Sequence, residues 1–165
     1  MLERFQSSSA LSAVRARPAA QASVKGDAGH PKLHGTVRFF PYRSGTIVLA
    51  EFGGLPYDNA PCAPNIYALH IHAVGDCTGN MDMSFAGAGG HYNPKNCPHP
   101  AHAGDLPPLF GNRGYAWQGF YTERFTPGDV VGKAVIVHER RDDFTTQPAG
   151  DAGARIGCGV IRAYR

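Results

Sequence analysis

The sequence has no long apolar run. No stretch approaches the roughly 18 apolar residues of a membrane-spanning helix, so we expect no membrane association. The first 35 residues also lack the apolar run of roughly 7 to 15 residues that an export signal needs, which favours a cytoplasmic location. However, the chain contains four cysteines, and disulfide-type cysteines are unusual in a reducing compartment, so an exported form is the alternative.

A concentrated basic surface is missing as well. The formal net charge is +3, and residues 1–35 account for all of it with five Lys or Arg residues against two acidic ones. The rest of the chain is neutral by the same count. A nucleic-acid-binding domain groups Lys and Arg on one face of its folded part, so we expect no nucleic-acid partner.

Glycine and proline are abundant, with 21 Gly and 13 Pro among 165 residues. This content indicates many turns and ordered loops in a chain whose length suits a single domain. Residues 1–18 are polar and aperiodic, and we expect them to form a flexible N-terminal extension to a domain of residues 19–165.

Short segments of alternating apolar and polar residues recur without helical patterns between them, which predicts strands. We therefore expect an all-β fold, an antiparallel Greek-key β-sandwich or barrel of immunoglobulin-like type. Two connections, residues 73–114 and 139–157, are too long for simple turns, and such long loops are usually functional. The predicted strands lie within residues 20–24, 36–40, 46–52, 65–72, 115–121, 133–138 and 158–164.

Two histidines lie close together in one predicted strand, His70-Ile71-His72. Side chains alternate between the faces of a strand, so both imidazoles point to one side while Leu69 and Ile71 point to the other. A metal ion could bridge the pair. Taken alone, the pair is more often a polar outer face than a metal site.

The first long loop is also rich in histidine. Pro98 and Pro100 argue against a helix there, so we expect the loop to wrap around a ligand. Three imidazoles and one carboxylate suit tetrahedral Zn²⁺, and a solvated turn is the alternative. The residues concerned are His91, His99, His102 and Asp105.

One further histidine, His138, ends an apolar predicted strand. On its own it would be interpreted as a satisfied core or edge residue. Six of the eight histidines thus fall in three places, and we interpret the remaining two, His30 and His34, as surface residues.

Taken together, these motifs resemble those of the copper/zinc superoxide dismutases over about residues 34–162. The position of Cys77, five residues after His72, is similar to the bacterial branch of that family. Chance agreement is not expected, because several separated motifs occur in the family's order. These motifs are His70-Ile71-His72, Gly90-His91, His102-Ala-Gly-Asp105, Val137-His138-Glu139 and Arg155-Ile-Gly-Cys158.

The resemblance implies a copper ion and a zinc ion that share one ligand. It makes His91 an imidazolate that bridges copper to zinc, and Asp142 a carboxylate that links a copper histidine to a zinc histidine. A solvated Asp142-Asp143 pair is the alternative for the carboxylate. The implied copper ligands are His70, His72, His91 and His138, and the implied zinc ligands are His91, His99, His102 and Asp105.

The resemblance also implies an activity, the conversion of superoxide to O₂ and hydrogen peroxide by alternating reduction and oxidation of copper. Two residues would be catalytic: Arg155 would attract the superoxide anion, and His91 would take up a proton in the reduced state. An ordinary surface arginine is the alternative for Arg155. Cys77 and Cys158 would form a disulfide that ties the first long loop to the last strand.

Two features of the sequence leave alternatives open. His99 and His102 are three residues apart, closer than in the family, so either the shortened loop closes or Cys97 replaces His99 as a zinc ligand. For Cys62 and Cys97 we expect, in this order, a second disulfide, free thiols, or a thiolate near zinc.

Two other functions compete with the enzyme. One is a copper-binding or copper-delivery protein on the same fold without turnover, and the other is a zinc-only structural domain. Arg155 and the three copper histidines favour the enzyme, because a storage site needs no guide for anions. The oligomeric state is open, and a homodimer is compatible with the resemblance.

Overall fold

The computed structural model describes residues 9–165, which form β-strands, two short helices and long loops. The helices are α1, Ala10–Arg15, and α2, Pro127–Val130, and a single 3-10 turn covers Ala86–Ala88. The strands are β1 Ala20–Gly26, β2 His34–Tyr42, β3 Gly45–Gly53, β4 Ile66–Tyr67, β5 Leu69–His72, β6 Leu109–Phe110, β7 Ala116–Thr122, β8 Ala134–His138 and β9 Arg155–Ala163.

Seven of these strands form one antiparallel sheet in the order β5-β8-β9-β1-β2-β3-β7, and β4 pairs with β6 separately. Strands that follow each other in the chain are often far apart in this order. β7 pairs with β3 at one end of the sheet, and the next strand, β8, pairs with β5 near the other end. This crossover agrees with the predicted all-β Greek-key architecture, which is confirmed.

Residues from both ends of this sheet meet in one apolar core, so the sheet is curled on itself. Leu69 and Ile71 of β5 belong to the same buried cluster as Phe52 of β3 and Ala116 of β7. Burying a Leu, Ile or Phe side chain fully stabilises a fold by roughly 1.5 to 3 kcal/mol. The core therefore holds strands such as β5 in place, and the candidate site lies on the face of these strands that is turned away from the core.

Each of the seven predicted strand segments overlaps a strand, and the segment 65–72 is divided between β4 and β5. The sequence did not predict β6, because two residues are too few to show alternation. It also did not predict α2, although Thr126 and Asp129 form a capping box and Pro127 occupies the first turn. Four residues are too few for helical periodicity.

The extension predicted for residues 1–18 lies partly outside the described residues, which begin at Ser9. The Ser9 side chain accepts a hydrogen bond from the Ser12 backbone N–H and so caps α1, a helix without buried side chains. The division into extension and domain stays a prediction. Within the described residues, neither helix has the length and apolar character needed to cross a membrane.

The first long loop folds back along the outer edge of β5. The Tyr92 N–H donates to the Ile71 carbonyl and the Ile71 N–H donates to the Gly104 carbonyl, both at 2.8 Å. A Cβ atom at position 104 would overlap the Ile71 carbonyl oxygen, so this approach requires glycine. Two further loop residues consequently lie opposite the strand histidines, His91 opposite His72 and Asp105 opposite His70.

A disulfide joins Cys77 of the same loop to Cys158 of β9, over a separation of 81 residues. Cys158 is buried and packs with Ala134 and Ile136 of β8. The bridge that the resemblance implies is thus present, and it ties the beginning of the loop to the middle of the sheet.

Candidate metal centre

β5 carries two candidate ligands on one face. Leu69 and Ile71 pack into the core while His70 and His72 point to the opposite side, as alternation predicts. Both imidazoles are nevertheless buried, because side-chain and carbonyl groups of the two long loops cover them. His138, at the end of β8, is buried beside them, with its ring centre 4.8 Å from that of His70.

Seven side chains form two groups that share His91. Within each group, every residue offers one ligand atom and these atoms all lie within 4.8 Å of one another. The structure thus brings together all the residues that the resemblance implies for copper and for zinc. The histidine group is His70, His72, His91 and His138, and the mixed group is His91, His99, His102 and Asp105.

Backbone carbonyls orient two rings of the histidine group. His72 Nδ1 donates to the Gly89 carbonyl at 2.8 Å, and His138 Nδ1 donates to the Gly153 carbonyl at 3.3 Å. A neutral imidazole has only one N–H, so the Nε2 atom of each ring carries a lone pair. The two Nε2 atoms lie 3.4 Å apart, an arrangement of facing lone pairs that a shared cation would stabilise.

One carboxylate orients a ring from each group. Asp142 accepts from His70 Nε2 at 2.8 Å and from His99 Nε2 at 2.9 Å. Gly150 makes room for it, because its φ is +70° and a Cβ atom there would overlap the carboxylate. Asp142 is buried whereas Asp143 is exposed, so the two residues do not form a solvated pair.

Three buried ring nitrogens have no hydrogen-bond partner in the described part of the chain: His70 Nδ1, His91 Nε2 and His99 Nδ1. A buried polar atom without a partner costs about 1 to 3 kcal/mol, and ligation would remove that cost. His99 Nδ1 also lies 3.1 Å from a carboxylate oxygen of Asp105, so two acceptors face each other. Imidazole suits copper and zinc, and a carboxylate suits zinc better than Cu(I), so the residues fit both ions.

Burial keeps three rings of the histidine group, those of His70, His72 and His138, deprotonated. Desolvation lowers the pKa of His72 to about 2 and the pKa of His138 to about 3, and it also lowers the pKa of His70. The positive charge of Arg155 adds to the lowering at His72 and His138. Metal ions bind the neutral imidazole, so these rings are ready for ligation at neutral pH.

The two carboxylates are ionised for a different reason. Burial raises the pKa of Asp142, but hydrogen bonds from His70, from the Phe144 N–H and from His99 outweigh it and lower the pKa to about 2. Burial likewise opposes the hydrogen bond and charge of His91, which hold the pKa of Asp105 below its usual value. Both carboxylates therefore carry negative charge toward the site.

We expect Asp142→Asn to weaken zinc binding about 10- to 100-fold, the usual cost of losing a group that supports metal ligands. An asparagine side chain has one acceptor oxygen, so it cannot accept from both rings in the way that the carboxylate does. Competition with a chromophoric zinc chelator measures the affinity.

Asp143→Asn is the matched control for this experiment. The Asp143 carboxylate accepts from the Thr145 and Thr146 backbone N–H groups on the exposed side of the loop. We expect this variant to bind zinc like the unmodified protein. Equal zinc affinities of the two variants would contradict the role assigned to Asp142.

Arg155, at the start of β9, is half-buried beside the histidine group. Its Nη1 atom donates to the Phe85 carbonyl at 2.8 Å and its Nη2 atom donates to the Gly89 carbonyl at 2.7 Å. The Gly89 carbonyl also accepts from His72, so one oxygen atom links the guanidinium to a ring of the site. This held position differs from that of a free surface arginine.

Two residues that the sequence analysis missed support the mixed group from outside. Gln147 Oε1 accepts from the His99 N–H at 2.9 Å, and Gln147 Nε2 donates to the His99 carbonyl at 2.7 Å. Neither Gln147 nor Arg124 belongs to a recognised motif. The short spacing of His99 and His102 is the one sequence signal that the loop needs support from residues outside it. The second residue is Arg124, whose Nη1 atom donates to the carbonyls of Pro100, His102 and Asp105 at 3.1, 3.0 and 3.3 Å.

The remaining cysteines do not form a second bridge, so that prediction is wrong. Cys62 is a free exposed thiol, and Cys97 is a free, half-buried thiol. The Cys97 backbone is held by Asn93, whose side chain accepts from its N–H at 3.0 Å. The mixed group contains His99 and not Cys97, so the shortened loop does close around its three histidines.

A Greek-key β-barrel with two joined, histidine-rich ligand groups defines a class of metalloprotein. The family model described as copper/zinc superoxide dismutase (SODC) matches residues 33–161. The chain therefore belongs to the copper/zinc superoxide dismutase family.

Individual proteins show the same relationship. A superoxide dismutase [Cu-Zn] of Deinococcus radiodurans is 35% identical over 150 residues, which cover 80% of this chain and 79% of that protein. An extracellular superoxide dismutase [Cu-Zn] of Oryctolagus cuniculus is 31% identical over 154 residues, covering 87% of this chain and 60% of that protein. The solved Cu/Zn superoxide dismutase from Brucella abortus has a TM-score of 0.70 and 24% identity over 86% of this chain and 98% of that chain, which shows a common fold.

Proposed function

We propose that this protein is a superoxide dismutase that binds copper in the histidine group and zinc in the mixed group. The observation that carries the proposal is the position of His91, whose ring contributes to both groups. A ring with both nitrogens directed at ligand groups can hold two cations at a fixed separation. A protein that only stores one metal has no need of such a ring.

The chemistry that bound copper supplies is alternating one-electron reduction and oxidation, so that two superoxide ions and two protons yield O₂ and hydrogen peroxide. The protein would keep its rings placed for both half-reactions. His91 Nδ1 lies 2.7 Å from Asp105, which anchors that side of the ring, while His91 Nε2 has no partner among the described residues. We propose His91 Nε2 as the atom that takes up a proton in the reduced state.

Arg155 would serve the substrate. Superoxide is a small anion, and a fixed guanidinium next to a concave site attracts anions and raises their association rate, by roughly 10- to 1,000-fold where a cleft focuses the field. Two carbonyl acceptors hold the Arg155 fork in one orientation. The charge therefore stays beside His72 and His138, the rings whose pKa values it lowers.

Metal analysis of the purified chain alongside a dismutation assay tests the proposal. We expect copper and zinc in equal amounts and a rate of dismutation that falls as salt screens Arg155. A fully metal-loaded protein without activity would overturn the proposal in favour of a copper-binding or copper-delivery protein. Zinc without copper would indicate a structural domain.

We further propose a homodimer formed through the outer face of β7. β7 is the last strand of the sheet order, so its outer face lies at one end of the sheet, where another chain can pack against it. Four exposed aromatic side chains lie on β7, on the residue before it or on β6, and aromatic residues are enriched in protein interfaces. They are Phe110, Tyr115, Trp117 and Tyr121, with 63%, 47%, 59% and 39% of their surfaces exposed.

Trp117→Glu is expected to convert this dimer to a monomer, because it places a charge in a desolvated interface. Sedimentation velocity measures the mass. Met81→Glu is the control, since Met81 is fully exposed and belongs neither to β7 nor to the four aromatic residues of the proposed interface. An unmodified protein that is monomeric at high concentration would contradict the dimer.

The compartment proposed from the sequence is the cytoplasm, with an exported form as the alternative. Two observations favour the alternative: the disulfide between Cys77 and Cys158, which persists most readily in an oxidising compartment, and the extracellular relative in Oryctolagus cuniculus. Cell fractionation with an antibody against the protein decides between the two locations.

A further inference from the structure

A cluster of polar residues outside the metal ligands lies behind Arg155. Asp27 follows β1 and is half-buried. One of its carboxylate oxygens accepts from the Ser84 hydroxyl at 2.9 Å, and the other accepts from the His30 N–H at 3.0 Å and lies 2.7 Å from His30 Nδ1. Ser84 belongs to the first long loop, so this contact joins the β1–β2 connection to the loop that bears Cys77.

Ser84 directly precedes Phe85, whose carbonyl is one of the two acceptors of Arg155. Phe85 has a left-handed backbone conformation, with φ +58° and ψ +32°, and begins the 3-10 turn Ala86–Ala88. A residue other than glycine adopts this conformation at a cost, so neighbouring contacts must hold it. The Ser84 hydroxyl bond to Asp27 is such a contact, one residue before the strained position.

The backbone of Asp27 is also bound to β9, the strand that carries Arg155. The Asp27 N–H donates to the carbonyl of Ile156, the residue after Arg155, at 3.0 Å. The connections form a closed ring: Asp27 to Ile156, along the chain to Arg155, across to Phe85, along the chain to Ser84, and back to Asp27. A closed ring fixes the guanidinium relative to both the sheet and the loop.

We propose that Asp27 and Ser84 are positioning residues that hold Arg155 in the orientation in which it attracts the anionic substrate. This inference rests on the proposed function, because it concerns the guide role of Arg155. Neither residue touches the ligand groups, and the hydrogen bond between their side chains acts on Arg155 through the Phe85 carbonyl. When the Ser84 bond is lost, the 3-10 turn loosens, and with it the acceptor that aims the guanidinium.

The experiment compares Ser84→Ala with Ser84→Thr in the metal-loaded enzyme. Azide, a small probe anion, is titrated against the copper absorption band to give a dissociation constant, and kcat/KM for superoxide is measured at low salt. We expect Ser84→Ala to weaken azide binding and to lower kcat/KM by about threefold each, part of the roughly tenfold loss expected for Arg155→Gln. Ser84→Thr keeps the hydroxyl and should restore both values.

Ser44→Ala is the matched control, because it removes another serine-to-carboxylate hydrogen bond. Ser44 lies on the exposed β2–β3 turn and donates to Glu123, the residue after β7, at 2.8 Å. It should change neither quantity. Copper and zinc contents and the melting temperature are recorded for every variant, so a variant that fails to load or fold is recognised. Asp27→Ala removes the acceptor of the Ser84 hydroxyl, so it should weaken azide binding and lower kcat/KM as Ser84→Ala does.

The double variant with Arg155→Gln separates positioning from general damage. Once the guanidinium is gone, Ser84→Ala should have no further effect on either quantity. A threefold loss that persists in the Arg155→Gln background would overturn the inference, as would unchanged azide affinity in Ser84→Ala alone. If the unmodified protein has no dismutation activity, the proposed function fails, while azide affinity still reports whether Ser84 positions Arg155.

Discussion

His138→Ala is expected to remove copper from the protein and to lower the rate of dismutation at least about a hundredfold, since even residues that only support metal ligands cost 10- to 100-fold. The variant takes away one of the two facing Nε2 atoms, which lie 3.4 Å apart in the structure. His72 alone on that side cannot replace it. Elemental analysis and a dismutation assay measure the two effects.

Zinc should stay bound in this variant, because His138 belongs to the histidine group only. His34→Ala is the matched control: His34 is an exposed histidine on β2, and its loss should alter neither metal content nor activity. Full activity in His138→Ala would contradict the assignment of His138 to copper and would indicate a different copper site. Loss of both metals would show that the two groups do not bind independently.

The double variant Cys77→Ala/Cys158→Ala is expected to lower the free energy of unfolding by about 4 to 5 kcal/mol. On the chain-entropy model this is the effect of opening a closed loop of this length, which spans 81 residues here. Most domains have a total stability of only about 5 to 15 kcal/mol, so the variant would be marginal. Denaturant titration of the metal-free protein at equilibrium measures the difference.

Cys62→Ser is the control for the disulfide experiment, because Cys62 is exposed and unpaired. It should leave the denaturation midpoint unchanged. Adding a reductant to the unmodified protein should reproduce the loss seen in the double variant. A change of less than about 1 kcal/mol in the double variant would show that the loop is held mainly by its packing and hydrogen bonds.

Much of the site could be predicted because its ligands lie in short, readable patterns. Alternation in a four-residue strand is enough to put His70 and His72 on one face and Leu69 and Ile71 on the other. The ligands of the first long loop are close together in sequence, so their chemistry can be recognised without knowing the path of the chain. The strands of the curled sheet were predicted for the same reason, since alternation is a local signal.

The rest depended on contacts between distant residues. Gln147 lies 48 residues from His99, and Ser84 lies 57 residues from Asp27, so no local pattern relates the members of either pair. The second disulfide was predicted from the presence of two more cysteines alone. Whether Cys62 and Cys97 can meet is decided by the positions of two separate loops, which spacing along the chain does not give.

The short loop of the mixed group is held largely by groups outside it: Gln147 and Asp142 from the second long loop, and Arg124 from the segment after β7. Transferring residues 91–105 into a relative with a longer loop would therefore carry over the ligands without the groups that hold them in place. A working chimera would need all three segments to be exchanged together. For the same reason, natural variation in any one of them should be matched by compensating change in the other two.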